Sequence, residues 1–201
     1  GAKNAALPIM AATLLASGTF RLTNVPSPRD VRTMGNVLRV LGAQVEHHDH
    51  SLTIDTTNCR HCEAPYELVK TMRASVCVLG PILARQGHAR VSLPGGCAWG
   101  PRPVDFHIRA MKDLGADVSL DHGYIDARAE RLRGSEIHFD KPSVGATENA
   151  LTAASLAEGV TVIRNAAREP EIGAVAAFLR AMGARIEGDG TDTITVEGVE
   201  R

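Results

Sequence analysis

Aromatic side chains are scarce in this 201-residue chain: one Trp, two Tyr and four Phe make up 3% of it. Lys and Arg are scattered rather than run together, and the formal net charge is only −1. Nucleic-acid binding draws on basic tracts and stacking platforms, so no nucleic acid is expected as a partner. No apolar run approaches the roughly 20 residues that cross a bilayer, so no membrane insertion is expected. The opening Gly1-Ala2-Lys3-Asn4 has neither an initiator Met nor the charged-then-apolar order of a signal peptide, and it reads as a chain cut into an ongoing fold. Four Cys (Cys59, Cys62, Cys77, Cys97) suggest no disulfide framework at this length, which points to a reducing cytoplasm. The rest is ordinary for a globular protein, with 44% hydrophobic and 22% charged residues able to build a core.

The chain does have repetition. Three copies of one unit are legible, near residues 1–58, 59–130 and 131–201. Each has an Ala/Leu-rich helix ending near a glycine (Gly18, Gly87, Gly159), a β-rich run, a second amphipathic helix and a two-strand ending. The second helices start about Asp30, Val104 and Glu171 and close on Leu41-Gly42-Ala43, Leu114-Gly115-Ala116 and Met182-Gly183-Ala184, where glycine suits a left-handed cap. Hairpins are predicted over 44–55, 117–126 and 185–197. Segments 65–69 and 136–139 are read as opening strands of the second and third copies, and the first copy lacks one, which again suggests truncation. Three units that each bury one apolar face predict a single α/β domain with approximate threefold symmetry.

One arm is longer. Gly18 to Gly42 and Gly159 to Gly183 are 24 positions apart, whereas Gly87 to Gly115 are 28. The extra residues fall around Pro94-Gly95-Gly96-Cys97-Ala98-Trp99-Gly100, a glycine-hinged loop with a Cys beside Arg102. A thiol on such a loop can approach a ligand and give up a proton or attack carbon. Lys3, Arg73 and Lys141 fall at equivalent helix starts, where exposed amides already favour anions. Singly, each is more often a solvated surface charge. Asn4 is read as the cap of the first helix and Ser143 or Thr147 as the cap of the helix after Lys141. His47-His48-Asp49-His50 and Cys59-Arg60-His61-Cys62 carry residue types that suit zinc, but the His run sits on a hairpin turn and the Cys pair has no second pair. A solvated turn and a linker is the reading, with no metal and no cofactor expected.

Several blocks together resemble a known family: Gly1-Ala2-Lys3-Asn4-Ala5-Ala6-Leu7-Pro8, Lys70-Thr71-Met72-Arg73-Ala74-Ser75, Leu93-Pro94-Gly95-Gly96-Cys97, Arg102-Pro103-Val104-Asp105, Ser143-Val144-Gly145-Ala146-Thr147 and Asn165-Ala166-Ala167-Arg168-Glu169-Pro170-Glu171. They are similar to the UDP-N-acetylglucosamine enolpyruvyl transferases (1-carboxyvinyltransferases), which commit carbon to bacterial peptidoglycan. The resemblance implies an inside-out α/β barrel domain of three pseudo-symmetric βαβαββ units, one of two such domains with the active site between them. It implies transfer of the enolpyruvyl group of phosphoenolpyruvate to the 3-hydroxyl of UDP-N-acetylglucosamine, with release of phosphate.

Residue by residue, the resemblance makes Cys97 the acid that protonates the methylene carbon of phosphoenolpyruvate. It makes Lys3, Asn4 and Arg102 the phosphoenolpyruvate-binding residues. Arg73, Arg102, Pro103, Val104, Asp105, Phe106, Lys141, Pro142, Ser143 and Val144 would hold the UDP-sugar. Cys77 stands where some members have Trp, and Phe106 where some have Leu; both read as packing changes. The family's catalytic carboxylate and a further Arg belong to the second domain, so the chain by itself is expected not to turn over. The alternative is a non-catalytic nucleotide-sugar-binding or regulatory module of the same fold.

Overall fold

The computed structural model describes residues 2–26, 29–70, 72–93 and 104–200, and of Arg73 the backbone alone. Helices and strands alternate in three rounds. The first holds α1 (Lys3–Ala12), β1 (Thr19–Leu22), α2 (Arg29–Val40), β2 (Gln44–His48) and β3 (Ser51–Asp55). The second opens with β4 (Glu63–Ala64), α3 (Tyr66–Val69) and a 3-10 segment, Arg73–Val78, that runs into α4 (Leu79–Gln86). It continues through β5 (His88–Ser92), α5 (Asp105–Asp113), β6 (Asp117–Asp121) and β7 (Tyr124–Arg128). The third holds β8 (Glu136–His138), α6 (Val144–Ala154), β9 (Val160–Arg164), α7 (Pro170–Ala181), β10 (Arg185–Glu187) and β11 (Thr193–Glu197).

Each round builds its own sheet. The second and third have the orders β4-β5-β7-β6 and β8-β9-β11-β10, with the opening strand parallel to the next and the remaining pairs antiparallel. The first has the order β1-β3-β2 and, among the described residues, no strand parallel to β1. Along each inner strand burial alternates: Leu52 and Ile54, Ile125 and Ala127, and Ile194 and Val196 are buried, and the residues between them are not. Period-two patterning of this kind gives a sheet one face for the core and one for water.

The helices fill the middle. Every residue of α6 from Ala146 to Ala154 is buried. α4 and α5 pack on α6, while α1 packs on α2 and α7. Close approach needs small residues, as at Gly80 of α4: a Cβ there would lie 2.6 Å from the Asn149 carbonyl oxygen of α6. Helices inside and three sheets outside make an inside-out α/β arrangement, with separate sheets rather than one barrel closed by strand pairing.

The second helix of each round ends alike. Gly42, Gly115 and Gly183 have φ of +102°, +90° and +106°. Their amides reach the carbonyls of Arg39, Lys112 and Arg180, while the following Ala43, Ala116 and Ala184 amides reach Leu38, Met111 and Leu179. This is the Schellman pair of bonds, three times over, and each instance launches a strand back across its helix.

Two local expectations need correction. The second round's opening strand is Glu63–Ala64, and Tyr66–Val69 is a helical turn. Pro65 has no N–H for the ladder, and its φ of −77° and ψ of 152° suit the residue before a helix. The cap of α1 is Ala2, with no side-chain cap bond, so Asn4 lies inside the first turn rather than at its cap. Among the described residues no helix is long and apolar enough to cross a membrane.

Candidate functional site

In the second and third rounds the opening strand and the next strand are parallel, so the helical segment between them runs antiparallel to both. Its start therefore lies towards the carboxyl end of the opening strand, where open α/β sheets present ligand sites. The starts in question are those of the 3-10 segment at Arg73 and of α6 at Val144, and α1 holds the equivalent place in the first round. The 3-10 segment packs against both α1 and α6, so one element touches the other two. Two α-type bonds are missing where the segment meets α4: Pro81 has no N–H to give the Cys77 carbonyl, and the Gly80 amide goes to Asn149 Oδ1 instead.

At α1, Lys3 and Asn4 are exposed. Lys3 Nζ donates to Asp30 Oδ2 at 2.8 Å, and the two side chains keep 46% and 31% of their exposure. Asp30 stands in the first turn of α2, so a helix-start carboxylate restrains the cation. Pro8, one turn further on, has no N–H to give the Asn4 carbonyl.

At α6, Ser143 is the cap: its φ of −138° and ψ of 114° are extended, and its Oγ accepts from the Ala146 amide at 3.4 Å. Thr147 ties the turn down instead, donating to the Ser143 carbonyl at 2.8 Å and accepting from the Ala167 amide at 3.1 Å. The Val144 and Gly145 amides precede any intrahelical acceptor and, among the described residues, have no backbone partner. Lys141 and Pro142 are exposed, and Val144 is half-buried.

The start of α5 is held beside the start of α6. His107 is buried against Gly145, where a Cβ would come within 3.2 Å of its ring. Its Nδ1 faces Asn149 Nδ2 at 2.7 Å. The Phe106 ring meets Phe139 edge-on, with centroids 5.9 Å apart, and Arg109 pairs with Asp140 at 3.1 Å. The structure thus gathers Val104, Asp105, Phe106, Lys141, Pro142, Ser143 and Val144 into one neighbourhood, with exposed Asp105 on its rim. Cys97, Arg102 and Pro103 lie outside the described residues, as does the Arg73 side chain. The described residues on either side of 94–103 are Leu93, whose amide bonds the Gly123 carbonyl at 2.8 Å, and Val104.

Sequence reasoning missed a buried polar layer beneath these starts. Asn149 links the elements: its Nδ2 also donates to the Val76 carbonyl at 2.9 Å, and its Oδ1 accepts from the Gly80 amide at 2.9 Å. Burial pushes His107 down to about 4, so the ring is neutral and its Nδ1 accepts from the Asn149 amide. Glu148, 5% exposed, accepts from the Cys77 thiol at 3.5 Å. Burial raises its carboxyl to about 8; the Cys77 bond opposes the rise, and the Glu171 charge adds to it. The one signal available was an acidic residue inside the Ala- and Thr-rich run 146–154.

The His and Cys cluster does not assemble. Cys59 is buried in the core, where burial pushes its thiol up, and Cys62 turns to His88. His50 is exposed on the hairpin turn, and His47 and His48, on the strand leading into it, are exposed as well. Among the described residues no three His, Cys, Asp or Glu side chains gather closely enough to hold a metal ion.

Comparison with known proteins agrees along the whole chain. The family model described as EPSP synthase (3-phosphoshikimate 1-carboxyvinyltransferase) matches residues 1–201. Proteins named UDP-N-acetylglucosamine 1-carboxyvinyltransferase match over 100% of the chain: that of Shewanella amazonensis is 58% identical over 202 residues and that of Chlorobaculum parvum 56% over 204. The match takes in 48% of each, so the chain spans about half the length of the curated relatives it matches. Among solved structures, the enolpyruvyl transferase NikO from Streptomyces tendae superposes with a TM-score of 0.87 at 25% identity, over 100% of this chain and 47% of that one. The EPSP synthase of Acinetobacter baumannii superposes with a TM-score of 0.75 at 18% identity, over 100% and 46%, which is a likeness of fold.

Proposed function

The chain belongs to the EPSP synthase (3-phosphoshikimate 1-carboxyvinyltransferase) family, and from that premise we propose that it is one domain of an enolpyruvyl transferase acting on UDP-N-acetylglucosamine. Residues 1–201 form that domain, with repeats near 1–58, 59–130 and 131–201, and a second domain completes the active site. The whole enzyme moves the enolpyruvyl group of phosphoenolpyruvate to the sugar 3-hydroxyl and releases phosphate, in the cytoplasm, at the committed step of peptidoglycan synthesis.

The observation that carries this reading is the packing of the Arg73–Val78 segment on both α1, which opens at Lys3, and α6, which Ser143 caps. Cations and free amides from different arms then face one anion. Lys3 and Arg102 hold the phosphoenolpyruvate and Asn4 orients it. Arg73, Arg102 to Phe106 and Lys141 to Val144 hold the uridine and diphosphate. Cys97 gives its proton to the methylene carbon, the neighbouring carbon takes on oxocarbenium character, and the sugar oxygen adds there as its proton passes to the second domain's carboxylate. Phosphate then leaves as the new methyl group gives up a proton and the C=C bond re-forms, its charge met by cations already in place, so no solvent need reorganise. Holding both substrates between two domains removes the entropy of their encounter.

The test is phosphate release from phosphoenolpyruvate in the presence of UDP-N-acetylglucosamine. The 201-residue chain alone is expected to show no steady turnover. Fused to the complementary half of the Shewanella amazonensis relative, it is expected to turn over, and Cys97→Ala to abolish most of that turnover. Steady release by the chain alone, or a fusion that is fully active without Cys97, refutes the assignment.

A further inference from the structure

The outer face of the second sheet carries a thiol, an imidazole and a carboxylate in line. Cys62 Sγ lies 3.4 Å from His88 Nδ1. His88 Nε2 lies 3.3 Å and 3.4 Å from the two Asp126 carboxylate oxygens. The register explains the alignment. His88 pairs with Arg128 and Arg90 with Asp126, so all four side chains share the face opposite Ala89 and Ala127, which are buried. Arg128 Nε braces Asp126 Oδ1 at 3.0 Å. Burial alone would raise the Asp126 carboxyl, but bonds from Arg128 and His88 outweigh it and leave it below its ordinary range, so it is an anionic acceptor. That acceptor fixes the proton of His88 on Nε2 and leaves Nδ1 with its lone pair toward the thiol. Nucleophile, base and orienting carboxylate within reach of one another are the arrangement that activates a thiol.

We propose that Cys62 is a reactive thiol, activated by His88 and Asp126, that forms a mixed disulfide with polar low-molecular-weight disulfides. An open groove of about 440 Å³ beside His88, lined also by Gln86, Arg128 and Glu130, gives the second half of such a molecule a seat. Side chains of both signs suit a zwitterionic occupant better than an apolar one. In the step, the Cys62 proton passes to His88 Nδ1 and the thiolate attacks one sulfur of R–S–S–R. The old S–S bond breaks as the new one forms, and the departing R–S⁻ takes the proton back from His88 and leaves as R–SH. Cys59, buried at 4% exposure with its thiol pushed up, lacks these partners and serves as an internal standard.

The experiment uses the full chain carrying Cys97→Ser, so that the loop thiol gives no signal, and 5,5′-dithiobis(2-nitrobenzoic acid) as the disulfide at pH 7. Peptide mass spectrometry follows the mixed disulfide at each Cys with time. Cys62 is expected to react at least about tenfold faster than Cys59, since general-base assistance contributes roughly 10²-fold or more in favourable cases. His88→Gln is expected to slow Cys62 by about ten- to a hundredfold, and Asp126→Asn by less, with the Cys59 rate unmoved. A variant that merely loosens the fold would instead speed Cys59. Equal rates at Cys62 and Cys59 in the parent chain overturn the proposal, and so does a Cys62 rate unchanged in both variants.

Discussion

Replacing Glu148 by Gln isolates the energetics of the buried layer under the helix starts. The folded chain holds the Glu148 proton until about pH 8, because burial disfavours the carboxylate, while an unfolded chain releases it near 4.5. Between those values the native state binds more protons. Its contribution to stability is therefore full below 4.5, declines as pH rises, and is gone above about 8. At about 1.4 kcal/mol per pH unit the window is worth roughly 5 kcal/mol, against typical total stabilities of about 5–15 kcal/mol. His107 works the other way. Held neutral down to about 4 against an unfolded 6.5, it stabilises above 6.5 and loses that as pH falls, by roughly 3 kcal/mol.

The two slopes oppose each other between about pH 4.5 and 6.5, and only the Glu148 slope survives above that. Urea unfolding of the parent chain and Glu148→Gln, followed by circular dichroism from pH 5 to 9, separates them, because the difference removes every other titration, that of His107 included. The Gln variant is expected to match the parent near pH 5 and to gain about 1.4 kcal/mol per pH unit up to pH 8, with m-values unchanged. A difference that stays flat across the range would show that the Glu148 carboxyl is solvated in the folded chain, and would refute the reasoning.

Gly80→Ala forces a Cβ to within 2.6 Å of the Asn149 carbonyl oxygen and strains the Gly80 amide bond to the Asn149 side chain. About 2–4 kcal/mol should be lost, read as a lower urea midpoint. Phe139→Ala empties a fully buried site and removes the edge contact to Phe106, which should cost about 3–5 kcal/mol by the same assay. Cys77 is buried, and burial, with Glu148 beside it, pushes its thiol well up, so native-state alkylation by iodoacetamide should spare it until urea unfolds the chain.

What the sequence made legible was local. Gly42, Gly115 and Gly183 announce themselves because a helix that must stop and reverse needs a left-handed residue, and only a few neighbouring carbonyls are involved. The hairpins 44–55 and 185–197 follow from alternation that each strand carries within itself. Misreadings arose where a neighbour's chemistry decided. Residues 65–69 have strand-like composition, yet Pro65 stops the ladder after Ala64. Cys59 and Cys62 look like a pair by spacing, but the packing of residues far along the chain sends one inward and the other to His88, 26 positions on. Likewise Glu148 meets Cys77 across 71 positions and His107 meets Asn149 across 42, separations at which no periodicity speaks.

An inside-out domain creates an electrostatic problem that bears on function. Helices packed against one another through small residues bring their starts together, and each start presents unpaired amides carrying roughly half a positive charge. Lys3 adds a full charge to this group, and Lys141 stands exposed beside Ser143. Without compensation such a cluster would disfavour the packing of the 3-10 segment on α1 and α6. Asp30 supplies one compensating carboxylate, at 2.8 Å from Lys3, but from another helix start and with both groups still partly in water. A pair so exposed is worth about 0–1 kcal/mol, little enough for an arriving dianion to displace it. Asp30 therefore restrains the Lys3 cation without occupying it firmly, and a stronger anion can take its place.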